Sequence, residues 1–87
     1  MSVHKEISAH SQKQHQLVKT FAQLDMLREQ YIERAVTKCQ NNESFTTDEI
    51  NIVTTQINEL AKNGIVPTRK TVTKSMVEEY VSRLNQK

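Results

Sequence analysis

Apolar residues recur at helical spacing through the first half of the chain. Leu17, Phe21, Leu24, Tyr31, Ala35 and Cys39 fall on one face at about 100° per residue, with Val18, Leu27, Ile32 and Val36 at its edges. Val3, Ile7, His10 and Gln14 carry the stripe toward the N-terminus, although two of these four are polar. Neither Gly nor Pro interrupts residues 1–63. The pattern predicts a first helix over about residues 3–40. A straight helix of that length spans roughly 57 Å, more than the width of a compact domain of this mass. It must therefore bend in the polar stretch of residues 8–16, project, or lie against a second chain.

Residues 40–44 are a polar connection, after which a second helix is expected over about 47–63. Thr46 is placed to cap it, Glu49 to complete a capping box, and Phe45 to staple onto Ile50. Ile50, Val53, Ile57, Leu60 and Ala61 form its apolar face, and Ile52 points elsewhere. Gly64 is expected to end it in a left-handed cap, with Ile65 touching Leu60. Beyond Pro67 two starts compete for the third helix. Thr68 is one; the preferred one is Thr73, with Val72 stapling to Val77, a short turn at 68–72 and a helix over about 73–84. The expected fold class is all-α, three helices in one domain spanning residues 1–87.

The composition changes this picture little. With no Trp, two Tyr and two Phe, the core must be aliphatic. No apolar run approaches the ~18–20 residues of a membrane span and the opening residues lack a secretion signal, so a cytoplasmic protein is expected. The single cysteine fits a reducing compartment, where the sequon at Asn42 has no meaning. The net charge of +2 is small but unevenly spread. Residues 41–61 hold four acids and no base, whereas residues 62–75 hold four bases, Lys62, Arg69, Lys70 and Lys74, and no acid.

Candidate chemistry is sparse. His4, His10 and His15 are six and five residues apart, neither of the intervals that brings helix ligands together, so no metal is expected. Cys39 has no neighbouring base to hold a thiolate, which makes an inert thiol the main reading and a redox-sensitive one the weaker reading. No nucleophile, base and oxyanion set and no Gly-rich phosphate loop is present, so neither an enzyme nor a cofactor or small-molecule site is expected. Arg28, near the middle of the apolar stripe, is expected to pack its stem and pair its head with Asp25; alternatively it sets register at a helix–helix interface.

The segment from Leu60 to Arg69 resembles the helix junction of winged-helix repressors of the LexA type, where Gly-x-x-Pro-Thr-Arg links two helices. The likeness spans about ten residues of generic helix punctuation. Only one further helix is expected after it, leaving no room for a recognition helix and wing, so no base-reading residue is implied. The whole chain resembles the YpbS-type family of small proteins of unknown function from spore-forming Gram-positive bacteria. The resemblance rests on Met1-Ser2-Val3-His4-Lys5, on residues 57–62 leading through 64–70, and on Val72-Thr73 and Met76-Val77. It implies a cytoplasmic bacterial protein and brings no activity, cofactor or site.

Two functions follow as expectations. The first is a non-enzymatic helical interaction module, a homodimer or a partner of another helical protein, with Leu17, Phe21, Leu24, Arg28 and Tyr31 at the interface. The second is an accessory protein that touches nucleic-acid phosphates through Lys62, Arg69, Lys70 and Lys74.

Overall fold

The computed structural model describes residues 2–86, with side chains described from Gln12 onward. Three helices follow one another: α1 (Ser2–Gln40), α2 (Asp48–Ala61) and α3 (Lys74–Asn85), with no strand among the described residues. The all-α, three-helix expectation holds. α1 runs unbroken through residues 8–16, so its N-terminal part continues the helix rather than folding back. The chain is elongated, 61 × 23 × 16 Å, with a radius of gyration of 17.7 Å. A compact chain of this length would have about 12 Å. The side chains of Val3, His4, Ile7 and His10 lie outside the described residues.

α1 ends in a Schellman cap that the sequence reading missed. Asn42 takes the left-handed conformation (φ 59), its N–H donates to the Cys39 carbonyl at 3.1 Å, and the Glu43 N–H donates to the Lys38 carbonyl at 2.8 Å. Asparagine is the usual substitute for glycine there because its short polar side chain tolerates positive φ. The chain then reverses. Ala35 shares a cluster with Ile50, Arg28 reaches Thr54, and Asp25 meets the Arg69 that Asn58 holds, so rising numbers in α2 match falling numbers in α1. α1 and α2 therefore form an antiparallel hairpin.

Two expected caps need correction. α2 starts after Thr47, not Thr46, so Glu49 falls one position short of a capping box, and Thr47 makes no side-chain cap bond. The start is held instead by burial, with Phe45 and Thr47 inside and Phe45 in the same cluster as Ile50. At the other end Gly64 is left-handed as anticipated (φ 75). The helix has already tightened by then, through N–H bonds from Lys62, Asn63 and Gly64 to carbonyls three residues back, and Ile65 stays 41% exposed. α3 begins as preferred: the Thr73 hydroxyl accepts from the Met76 N–H at 3.2 Å, and Val72 and Val77 are both buried.

The turn expected at 68–72 is absent. Residues 67–73 are extended and lie along α2, held by two asparagines. Asn58 accepts from the Arg69 N–H at 2.8 Å and donates to the Arg69 carbonyl at 3.0 Å. Asn51 does the same to Val72, at 2.8 and 2.9 Å. The spacings match: seven helical residues rise about 10.5 Å, and three extended residues cover about 10 Å. Each side-chain amide completes a backbone group as a neighbouring strand would.

The core is aliphatic, as composition required. Ala35, Phe45, Ile50, Val72, Val77 and Val81 form its main cluster, flanked by Tyr31, Ile32, Val36 and Cys39. α2 and α3 each approach α1, and among the described residues their backbones do not approach each other. Among those residues no buried side-chain polar atom lacks a hydrogen-bond partner.

Asn51→Ala strips the buried Val72 backbone of both partners and is expected to destabilise the chain by about 2 kcal/mol. Thr55→Ala, on the exposed side of α2, is expected to change it by under about 0.5 kcal/mol. Urea midpoints at constant m-value measure both, and equal effects would mean that the asparagine does not hold the segment.

Candidate interaction surface

The polar residues converge on the extended segment. Arg28 donates through Nε to Thr54 Oγ1 at 2.9 Å and through Nη2 to the Lys70 carbonyl at 2.9 Å, joining α1, α2 and the segment with one guanidinium. Thr54 is fully buried and passes its own proton to the Ile50 carbonyl at 2.8 Å, leaving its oxygen free to accept from Arg28. The expected pair of Arg28 with Asp25 does not form. Asp25 is taken by Arg69, whose Nε and Nη2 lie 3.0 and 3.3 Å from its two carboxylate oxygens. The two-pronged geometry suits a planar fork on a planar carboxylate, whereas Arg28 is better placed to close the α1–α2 seam.

The Arg69 guanidinium also covers the Phe21 ring, 5.1 Å from its centroid. The Arg69 hydrogen bond holds the Asp25 carboxyl below its ordinary range. Burial opposes that shift, and the charges of Arg69 and Arg28 add to it.

These contacts locate the sequence-derived candidates. Leu17, Phe21, Leu24, Arg28 and Tyr31 are all half-buried, with Phe21 under Arg69, Arg28 bound to Thr54 and Lys70, and Tyr31 against the core cluster. The four bases are not brought together as one free patch. Lys62 pairs with Glu59 at 3.0 Å in the open, Arg69 is held by Asp25, and the Lys74 ammonium lies 5.3 Å from the centroid of the Phe45 ring. Lys70 is exposed. Cys39 is half-buried beside the core.

What the sequence reading missed is a stripe on α2. Asn51, Thr54 and Asn58 stand at intervals of three and four, a polar, uncharged row beside the apolar one. Such a row on a half-buried helix is a signal for backbone clamping.

On the other side of α1 lies an apolar surface. A groove of about 340 Å³ runs between α1 and α3, lined by Ile32, Val36, Val72, Met76, Val77 and Tyr80, with Glu79 and Arg83 at its edge. A second hollow of about 530 Å³ shares Ile32, Val36 and Tyr80 and adds Glu29, Glu33 and Thr37. The two form one trough with an apolar floor and a largely acidic rim, where Glu79 pairs with Arg83 at 2.6 Å. Farther up α1, Val18 (49%) and Met26 (65%) are also exposed, as is Tyr80 on α3 (53%). No helix is long and apolar enough to cross a membrane among the described residues.

Because Asp25 titrates lower in the folded chain than in the unfolded one, its pairing stabilises above about pH 4 and is lost as pH falls through the folded value. Urea titrations between pH 7 and pH 2.5 should therefore show a component of acid destabilisation that Asp25→Asn removes. An unchanged acid limb would contradict the pairing. Arg28→Ala, which strands the buried Thr54 oxygen while water can take over at the exposed Lys70 carbonyl, is expected to cost about 1–3 kcal/mol. Arg28→Lys should recover only part of that, since one ammonium cannot reproduce the fork.

Residues 1–83 match a family model described as "Protein of unknown function (DUF2533)". The chain is 61% identical over 82 residues to "Uncharacterized protein YpbS" of Bacillus subtilis (strain 168), an alignment covering 94% of this chain and 96% of that protein. No solved structure matches it.

Proposed function

The chain belongs to the DUF2533 family of bacterial proteins of unknown function, and from that premise we propose that it is a non-enzymatic helical interaction module. Its docking surface is the exposed side of α1 together with the α1–α3 trough. The observation that carries this reading is the set of exposed apolar side chains, Val18 and Met26 on α1 and Met76 and Tyr80 on α3, the last two lining the α1–α3 groove. Isolated exposed apolar residues need no explanation, but several on one helix, with two more lining a groove, favour a partner surface.

The convergent polar groups support the same reading from the other direction. Asp25, Arg28, Asn51, Thr54, Asn58 and Arg69 are occupied with one another and with the 69–72 backbone, in structural hydrogen bonds that leave no poised acid, base or nucleophile among them. Phosphate contact by the basic segment is the weaker reading, because Lys62, Arg69 and Lys74 already have partners within the chain. The Lys62 pair is highly exposed and would be released at little cost.

Site-specific photo-crosslinking in the native bacterium tests the proposal. A photoreactive residue at Val18, Met26 or Tyr80 should yield discrete protein adducts, and one at Thr55, exposed on α2, should not. Adducts at none of the three, or equally at Thr55, would overturn it.

A further inference from the structure

We propose that the partner on α1 is a second copy of this chain, packed antiparallel about a two-fold axis at Ala22. The inference rests on the interaction reading and names its occupant.

An exposed row runs along α1 beside the half-buried stripe: His15, Val18, Ala22, Met26 and Glu29, all with their side chains toward solvent. Its intervals are three, four, four and three, close enough to the helical period that the row runs nearly straight along the helix. The intervals are the same in both directions from Ala22. A two-fold interface requires that property, since residue i of one copy must meet residue j of the other while j meets i.

Antiparallel pairing about Ala22 sets Val18 against Met26 of the second copy, apolar on apolar, and His15 against its Glu29, base on acid. At the axis itself stands the smallest side chain of the row, where two helices must come closest. Ala22 is also one residue from the midpoint of α1, so the two helices overlap along almost their whole length.

Charge chooses the direction. Among the described side chains the N-terminal half of α1 holds no acid, and Lys19 stands three residues before Ala22 at the edge of the exposed row. The trough beside its C-terminal half is rimmed by Glu29 and Glu33, while Glu79 is paired with Arg83. The three bases of that C-terminal half lie elsewhere: Arg28 turns toward Thr54, Arg34 lies over the Tyr31 ring at 5.5 Å, and Lys38 lines a separate hollow with Phe45 and Thr46. Antiparallel packing turns the acid-free half of each copy, with His15 and Lys19, toward the acidic half of the other, where Glu29 and Glu33 stand. Parallel packing would set Val18 on Val18 and Glu29 on Glu29. The fit of charge and spacing thus covers the exposed row with one partner.

Sedimentation equilibrium of the full chain tests the pairing. A dimer at micromolar concentration is expected. Val18→Lys alone and Met26→Glu alone should each weaken it at least about tenfold, with helicity by circular dichroism showing that both still fold. Because the two positions face each other across the axis, combining V18K with M26E should restore the dimer to within about threefold of the original. A double variant no tighter than the single ones would overturn the register. In a Cys39→Ser background, a short bismaleimide should join two copies through Ala22→Cys and not through Thr55→Cys.

A chain that stays monomeric to about 100 μM would overturn self-pairing. If the photo-crosslinks at Val18 and Met26 then led to another protein, the interaction reading would stand without it, whereas their absence would remove both.

Discussion

A chain segment laid against helices has no neighbouring strand to satisfy its N–H and C=O groups, and here that constraint organises the whole domain. Residues 66–73 leave α2 behind and must return along it partly buried, with Val66 and Val72 inside. A buried unpaired backbone group costs about 1–3 kcal/mol, so each needs a partner supplied by side chains. Asn51 and Asn58 provide four such bonds and Arg28 a fifth. The repeat of α2 and the rise of the segment agree over two turns, so the register cannot shift by one residue without losing the Asn51 or the Asn58 pair.

The placement of α3 follows from this. Asn51 holds Val72, the next residue is the cap of α3, and Val77 one turn on enters the core. The clamped segment occupies the side of α2 that another helix would use, so α3 packs on α1 instead. Its inward face is Val77 and Val81, and Met76 and Tyr80 are left over the open side, where they wall the trough. The groove is thus a consequence of the clamp. A third helix seated between α1 and α2 would have filled the core and left no such surface.

The features legible in the sequence are those set by local chemistry. The extent of α1 followed from uninterrupted periodicity, the start of α3 from a threonine preceded by a staple residue, and the left-handed Gly64 from its being the sole glycine after an apolar run. Where the reading failed, a distant contact decided. Thr46 and Glu49 have the spacing of a capping box, but burial of Phe45 and Thr47 moved the helix start by one residue. Asp25 lies one turn from Arg28, a sound local pair, yet Arg69, 44 positions away, offers it two hydrogen bonds. The turn expected at 68–72 was displaced by asparagines 11 and 21 residues upstream of the groups they hold. Of the interface candidates, periodicity correctly placed Phe21, Arg28 and Tyr31 on one face, but it could not say that the chain's own segment and α2 engage that face.

α1 carries more apolar surface than its own domain uses, and this excess separates the two faces of the helix. The arc that packs inside, Phe21, Arg28, Tyr31 and Ala35, meets the needs of α2, α3 and the segment between them. Val18 and Met26 lie round the helix from it and contribute nothing to that core, being roughly half or more exposed. The N-terminal half gains little from α2, which has only 14 residues against the 39 of α1. A lone helix of fewer than about 12–15 residues is marginal in water even with favourable composition. Here the stretch beyond α2 is polar and rich in Gln, Ser and His, so propensity alone supports it weakly. On the proposed pairing, contact along its exposed row would sustain a helix extended that far past its own domain. The same contact that would cover Val18 and Met26 would therefore also hold the N-terminal half of α1 in helical form, and the two halves of the helix would depend on each other through the second chain.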